Sequence, residues 1–580
     1  MEKRALVAFA LSLLVLLAWG RFFAPRPPVP VGDPAAGEIS LPLADRVESP
    51  PVLPAEHSEP EPAREAGSSG LPEPIVAADR QERIRVETPE YILTLDNRGG
   101  VVTSWILKDY TDQEGNPLEV VSPAARRLDS FPLSLHAEDA GLDERINAAV
   151  YSVDKGRVTK GDSVFQRVSF RYADGAGLVI EKVLEVGPGY LSRFQVRAVG
   201  PGGPLPLTVQ LGPGFGIPTE EKEKSRFYVR GQAVLLRQGG GLTTINRSRL
   251  KTGELRRETG AFQWGGIQDT YFSALLIPEQ GTIPEAMVRS YRVVDQGRER
   301  NYLTFTIPLA GERTDFSLFV GPKDLDILTP LGHGLPSVVD FGKWMAPIAR
   351  VLLVALKFIN QRVNNFGWSI VILTVAIKLL FFPLTQRSSV SMRRMQLKMK
   401  KVQPRVKAIK ERQRKHRKDS NSRQKMNQEM MELYKKEGIN PLGSMSGCLP
   451  MLLQLPVLLG LYRLLSVAIE LRHAPFLFWL TDLSQKDQYY VTPIIMGLSM
   501  FLQQMLNTPV GIDPAQRRMM MMMPLVFTFF FVNFPSGLVL YWLVNNILGI
   551  AQQYLVNQQV ERMEGKELGA RNGKLQGVSR

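Results

Sequence analysis

The chain has 580 residues, 44% of them hydrophobic, and a formal net charge of +15. That length excludes a single small domain, and one cysteine, Cys448, excludes an intramolecular disulfide. The charge is concentrated: residues 386–437 hold 18 Lys/Arg against 5 Asp/Glu, which calls for an acidic partner or a fixed side of a membrane.

Residues 1–23 open with Glu2-Lys3-Arg4 and continue as an apolar run to Phe23. A cleavable signal peptide is one reading, but the run ends Ala18-Trp19-Gly20-Arg21 without a small-x-small cleavage site. The expectation is an uncleaved transmembrane anchor with its amino end in the cytoplasm. Residues 24–80 follow as a linker. Thirteen of the chain's 41 prolines lie between 24 and 74, among Glu, Ala, Ser and Gly, a composition that cannot bury enough apolar surface to fold.

From 81 to 335 the apolar period changes to two. Tyr91, Leu93 and Leu95 alternate with Ile92, Thr94 and Asp96 before an Asn97-Arg98-Gly99-Gly100 turn. Val168, Phe170 and Tyr172 repeat the pattern, as do Phe194, Val196 and Ala198. This alternation predicts a large antiparallel β-sandwich, on the periplasmic side if residues 1–23 are an anchor. Glu181 and Glu185 read as outward strand positions rather than a catalytic pair, and His136 is the one histidine firmly inside this domain.

Residues 336–365 are apolar but interrupted by Lys343, Arg350 and Lys357, the pattern of an amphipathic helix lying in the membrane interface. Five spans are expected after it, at 366–384, 441–470, 490–507, 519–534 and 538–558, so that the anchor makes six. They are joined by a basic cytoplasmic segment (385–440), a short periplasmic loop (471–489), a cytoplasmic loop (508–518) and a periplasmic turn (535–537). A basic cytoplasmic tail (559–580) ends the chain. This order places the dense Lys/Arg clusters, including Arg517-Arg518, on one side throughout.

Within the basic segment Met392, Met395, Met399, Val402, Val406 and Ile409 are spaced 3, 4, 3, 4, 3, the seam of a coiled-coil helix. A second stretch through Met426, Met430 and Leu433 resumes the pattern, which predicts a two-helix cytoplasmic hairpin kinked near Pro404. Its charges, Arg393, Arg394, Lys398, Lys400, Lys401, Arg405 and Lys407, either enforce topology alone or form a docking surface for ribosomal RNA, anionic lipid or an acidic protein face.

Lys378 is the only formal charge in 366–384. It marks either an interior polar site or a side chain snorkelling to the headgroups. Thr374 lies four residues earlier on the same helical face. Gln454, Gln503, Gln504, Tyr541, Trp542, Asn545 and Asn546 are the further polar or amphipathic candidates for a wet cavity. The run Met519–Met523 reads as lipid-facing or packing surface, or as a flexible apolar groove. No phosphate-binding loop and no Cys/His cluster with metal spacing occurs, so no cofactor and no enzyme activity is expected.

Asn440-Pro441-Leu442-Gly443, Gly447-Cys448-Leu449-Pro450 and Leu453-Gln454-Leu455-Pro456 resemble the start of the third span in the YidC family. Phe534-Pro535-Ser536-Gly537-Leu538-Val539-Leu540-Tyr541-Trp542 resembles its final hairpin. Phe366-Gly367-Trp368-Ser369-Ile370 with Phe382-Pro383-Leu384-Thr385 resembles its second span. The resemblance implies a membrane protein insertase and chaperone, with a five-helix core around a hydrophilic groove open to cytoplasm and lipid. It implies a groove cation at Lys378, where many members carry arginine, and groove positions at Thr374, Gln454 and Trp542. Nascent membrane proteins, the Sec translocon, ribosomes and the phospholipid bilayer are the implied partners, and the bacterial inner membrane the implied location. Two other classes fit parts of the sequence: a solute channel or transporter, and a membrane-tethered periplasmic glycan-binding protein.

Overall fold

The structure, a computed structural model, describes residues 74–577 apart from 113, 217–230, 296, 343, 413–419, 438–448 and 508–513. The expected anchor, nearly all of the expected linker, the tip of the basic segment and Cys448 lie outside the described residues.

Among the described residues every strand pairing of the first half is antiparallel. Strands β1 (Arg83–Glu87), β2 (Tyr91–Asp96), β3 (Val101–Thr111) and β4 (Pro117–Glu119) form a four-stranded sheet. A second sheet of 14 strands runs from Leu135–His136 through Thr208–Leu211, Arg298–Pro308, Ile283–Asp295, Leu255–Gln268, Phe272–Pro278, Arg313–Pro322, Leu191–Gly200, Val179–Val186 and Ser163–Ala173 to Ser152–Lys160. The alternation read from the sequence is the burial pattern. Tyr91, Leu93 and Leu95 are buried, and so are Val168, Phe170, Phe194, Val196 and Ala198, while Tyr172 is half-buried. Each inward residue removes apolar surface worth about 1.5–3 kcal/mol for a large side chain.

Two of the polar positions named from the sequence depart from that reading. Asp96 is buried because its carboxylate accepts both amide contacts of Gln81, at 2.9 and 2.8 Å, and the Arg98 backbone N–H at 2.9 Å. Glu185, expected to face outward, is also buried, paired at 2.5 Å with Lys160 on the edge strand. A buried carboxylate with a cation in contact replaces the solvent shell that strand alternation alone assigns to it.

The second half is helical: α1 (Ala346–Val363), α2 (Phe366–Arg412), α3 (Ser420–Lys436), α4 (Leu449–Val467), α5 (Val491–Asn507), α6 (Pro514–Phe531) and α7 (Ser536–Gly577). Three boundaries differ from the sequence reading. The amphipathic helix starts at Ala346, after a 3-10 turn at Leu335–Val338. The expected second span and the first helix of the basic segment are one 47-residue helix, α2. The expected last span and tail are likewise one helix of 42 residues, α7. Hydropathy marks where lipid would end, but a lipid boundary does not by itself end a helix: α2 runs on past Pro383, which lacks an N–H and removes one bond from the ladder there. Among the described residues, one helix, Phe366–Ile409, combines span length with sufficient apolarity, while Gln454–Val467 and Val491–Leu506 are shorter apolar helices.

Helix α1 buries Ala349, Leu352, Leu353 and Leu356 against α2 and α4 and exposes Val351, Val354 and Phe358 on its other face. Between those faces Lys357 joins three elements. Its Nζ lies 3.0 Å from Asp324 Oδ1, 2.8 Å from Asp326 Oδ2 and 2.7 Å from Glu470 Oε1. Asp324 and Asp326 sit at the end of the β domain, and Glu470 just after α4. Burial works against the charge on Lys357, but Glu470, Asp326 and Asp324 outweigh it and hold its pKa above the ordinary lysine value. Lys357→Met is expected to strand the Asp324 and Glu470 carboxylates at one junction, Asp326 being solvated, a loss of about 2–3 kcal/mol. Limited proteolysis should then cut faster between 332 and 345, and Lys357→Arg should restore most of the resistance.

The segment 470–490 is the other tie. Arg472 donates to Thr111 O from the β3 end and lies over the Phe272 ring at 5.4 Å. Asp487 accepts from Thr492 N at 2.7 Å and Thr492 Oγ1 at 2.6 Å at the head of α5, and from Trp479 Nε1 at 3.2 Å. Ser536 N and Gly537 N, opening α7, donate to Gln485 O and Leu483 O at 2.6 and 2.9 Å. The segment thus fastens the heads of α5 and α7 to the β domain.

Candidate functional site

The inward face of α2 is set by helical spacing. Ile370, Leu373 and Thr374 are buried, whereas Trp368, Ile372, Leu379 and Leu380 are exposed on the other side. Lys378, eight residues beyond Ile370 and four beyond Thr374, continues the buried stripe and is half-buried. Thr374 is satisfied locally, its Oγ1 donating to Ile370 O at 2.6 Å. No hydrogen bond or ion pair holds the Lys378 ammonium among the described residues. A half-buried cation without a partner on an inward stripe can recruit an anionic group from outside the chain.

On α4 and α7 the candidates meet. Gln454 Nε2 donates to Asn545 Oδ1 at 2.5 Å and lies 3.4 Å from the Tyr541 hydroxyl. Tyr541 is buried and Asn545 half-buried. One turn pitch on α7 explains the pairing: 541 and 545 share a face. Asn546 points toward α5, donating to the buried Ser499 Oγ at 3.0 Å. Ser499 is a member that sequence reading missed. A serine in an apolar helix carries no distinctive signal until its partner is placed.

Trp542 turns to a different environment. Its ring packs 5.0 Å from Phe531 and 6.4 Å from Phe527, and Phe530, Phe531 and Phe534 complete an aromatic cluster. The structure therefore separates Trp542 from the amide network. Gln504 is half-buried on α5. Gln503 packs so tightly on α7 that a Cβ at Gly549 would stand 2.3 Å from its Nε2. A side chain at 549 would have to displace the end of Gln503.

The basic candidates lie on the far part of α2. Val402 is buried and Met392, Met395, Met399, Val406 and Ile409 are half-buried, while Arg394, Lys398, Lys400, Lys401, Arg405 and Lys407 are exposed and Arg393 is half-buried. The seam faces α7 as well as α3. Gln386 and Gln559 bond at 2.9 Å, Arg394 reaches Met563 Sδ at 3.0 Å, and Lys401 pairs with Glu564 at 3.4 Å. On the α3 side Arg405 pairs with Glu437 at 2.7 Å. The residue numbers rise together on α2 and α7, so the two helices run parallel.

The β domain holds a concave cleft of about 1500 Å³, lined in part by Arg98, His136, Asp143, Arg257, Arg289 and Tyr291. His136 Nδ1 lies 3.1 Å from Asp143 Oδ1. No group of three or more His, Cys, Asp or Glu able to hold a metal occurs among the described residues.

Comparison with known proteins finds two family models. That of the YidC periplasmic domain matches residues 83–355, and that of the 60Kd inner membrane protein matches residues 358–564. The membrane protein insertase YidC of Syntrophus aciditrophicus is 35% identical over 575 residues, covering 96% of this chain and 100% of the relative. That of Geobacter sulfurreducens is 36% identical over 578 residues, covering 98% and 100%. That of Citrifermentans bemidjiense is 37% identical over 568 residues, covering 97% and 100%.

Proposed function

The chain belongs to the YidC family, and from that premise we propose that it is a membrane protein insertase and chaperone of the bacterial inner membrane. Relatives carrying that name align with it along almost their full length. The observation that carries the mechanism is Lys378: a half-buried cation without a partner among the described residues, one turn from Thr374. In this reading Gln454, Tyr541, Asn545 and Gln504 would line one hydrophilic groove with it, and Trp542 would belong to its aromatic wall.

The physical difficulty is the substrate's polar tail. Unsatisfied backbone groups make about 30 Å of hydrocarbon prohibitive. A groove wetted from the cytoplasm shortens the dry path, and the Lys378 ammonium attracts acidic residues of the tail. The substrate's apolar segment then leaves sideways into lipid, where burial supplies the driving force. No nucleotide enters this scheme.

Six spans with the amino end in the cytoplasm follow from the placement of positive charge. The exposed row Arg394, Lys398, Lys400, Lys401, Arg405 and Lys407, with Arg393 beside it, would dock the ribosome, and the Sec translocon would be a partner in the membrane.

The test is insertion of a single-span substrate with a mildly acidic amino tail into liposomes containing only this protein, scored by protection of the tail from added protease. Protection above empty liposomes supports autonomous insertion. None above background defeats it and leaves a chaperone role beside a translocon. Removing the β domain separates the reading from a glycan-binding one, since insertion should then largely survive.

A further inference from the structure

The segment Ala474-Pro475-Phe476-Leu477-Phe478-Trp479-Leu480 carries no charge, yet it belongs to a connection between helices rather than to a helix. Phe478 at its tip is 89% exposed, the most exposed of the chain's large hydrophobic residues among those described. Its backbone has φ of +49°, a conformation that costs a bulky L-residue on the order of 1–3 kcal/mol and persists only when the surroundings enforce it. The ring stacks on Trp479 with centroids 6.0 Å apart, and Leu477 beside it is also exposed.

The turn closes its own backbone bonds. Phe476 N donates to Leu480 O at 2.8 Å and Leu480 N to Leu477 O at 3.0 Å, an economy suited to a site with little water. Its level follows from its contacts with the head of α2. Asn365 Nδ2 lies 3.4 Å from Pro475 O, and the Phe476 ring meets Trp368 edge-on at 5.5 Å. Phe476 also rests on Gly367, where a Cβ would stand 2.0 Å from its ring. Trp368 is on the outward face of α2 and 45% exposed, so the turn abuts the flank of the one helix among the described residues that combines span length with sufficient apolarity. Trp344 ahead of α1 and Tyr489 and Tyr490 ahead of α5 are also exposed, aromatic residues of the kind found where a bilayer meets water.

We infer that residues 476–479 form a wedge that inserts into the outer leaflet of the bilayer, with Phe478 and Leu477 at the boundary of headgroups and acyl chains. Lipid is the occupant because the turn is uncharged, hydrogen-bonded within itself and placed beside the outward face of a span. The same segment continues into Asp482, Leu483, Gln485 and Asp487, which hold the heads of α5 and α7. The wedge therefore fixes that junction at one depth in the membrane.

The inference rests on the proposed membrane topology, and its test separates the two. In a Cys448→Ser background, nitroxide labels are placed at Phe478→Cys, at Leu380→Cys on the outward face of α2, and at Glu114→Cys on the exposed β3–β4 hairpin. The full chain is reconstituted in phospholipid vesicles, and collisions with oxygen and with a water-soluble nickel chelate are compared. The expected ratio of oxygen to nickel collisions at 478 is several-fold above that at 114 and approaches that at 380. A ratio at 478 equal to that at 114 overturns the wedge while leaving the spans intact. Low access to both probes at 478 also overturns it, in favour of a protein contact such as a second copy. An aqueous ratio at 380 defeats the topology itself, and the wedge with it.

Discussion

Lys378→Ala is expected to lower insertion of a substrate with an acidic amino tail by roughly tenfold to thirtyfold, while Lys378→Arg stays within about twofold of the parent. The magnitude follows from Coulomb attraction between the ammonium and a carboxylate about 8 Å away, about 2 kcal/mol at an effective dielectric near 20. Arginine keeps the charge, and its longer planar head reaches the same region of the groove. A tail stripped of acidic residues should lose almost nothing in the alanine variant. Because Lys378 is half-buried and stands on the inward stripe of α2, the effect should weaken only modestly between low and moderate salt. Tail protection in liposomes, measured for each variant with each tail, checks all three statements. If the alanine variant matches the parent with every tail, the lysine only snorkels, and the groove works by hydration alone.

What could be read from the sequence tracks which forces are local. Strand alternation at Tyr91, Leu93 and Leu95 is a short-range rule, and its inward set is the buried set. The 3-4 seam from Met392 to Ile409 is local in the same sense, but its principal neighbour was not: α7 runs alongside it through Gln559, Met563 and Glu564. A stripe states that something packs against a helix without naming it. Helix ends failed for a related reason, since a lipid boundary does not itself end a helix: α2 continues past Pro383, and α7 runs through the expected end of its span. Of the polar candidates, Gln454, Tyr541 and Asn545 converge, whereas Trp542, adjacent in sequence to Tyr541, belongs to an aromatic cluster 100° further around the helix. The centre at Lys357 needed four residues from three elements, and no window of sequence contains them. The same holds for Phe478, where exposure rather than hydrophobicity is the signal.

Lys182 was not singled out by its sequence context at all, yet its replacement should produce the largest change in stability. It is 1% exposed within the β domain, and its Nζ donates to Gly99 O at 2.7 Å, Leu133 O at 2.8 Å and Gly100 O at 3.2 Å. Gly99 and Gly100 carry φ of +72° and +57°, so the glycine turn after β2 directs its carbonyls at the lysine. Its stem packs beneath that turn, with Cδ 3.4 Å from where a Cβ on Gly100 would lie. Lys182→Met keeps the stem but leaves three buried carbonyls without a donor, at about 1–3 kcal/mol each before relaxation. The expected loss is about 3–5 kcal/mol, or roughly 10 °C in the unfolding temperature of the β domain within the full chain. Burial also pushes the lysine's pKa down to about 7, so below that pH the folded state carries the whole cost of a buried charge. As pH rises from about 7 toward the ordinary lysine value of 10.5, the unfolded chain holds the extra proton and folding gains stability. The parent should therefore unfold at a higher temperature at pH 9 than at pH 7, and the methionine variant should lack that difference. A flat profile in the parent would mean that the three carbonyls, which only the ammonium can serve in full, hold the proton against the effect of burial.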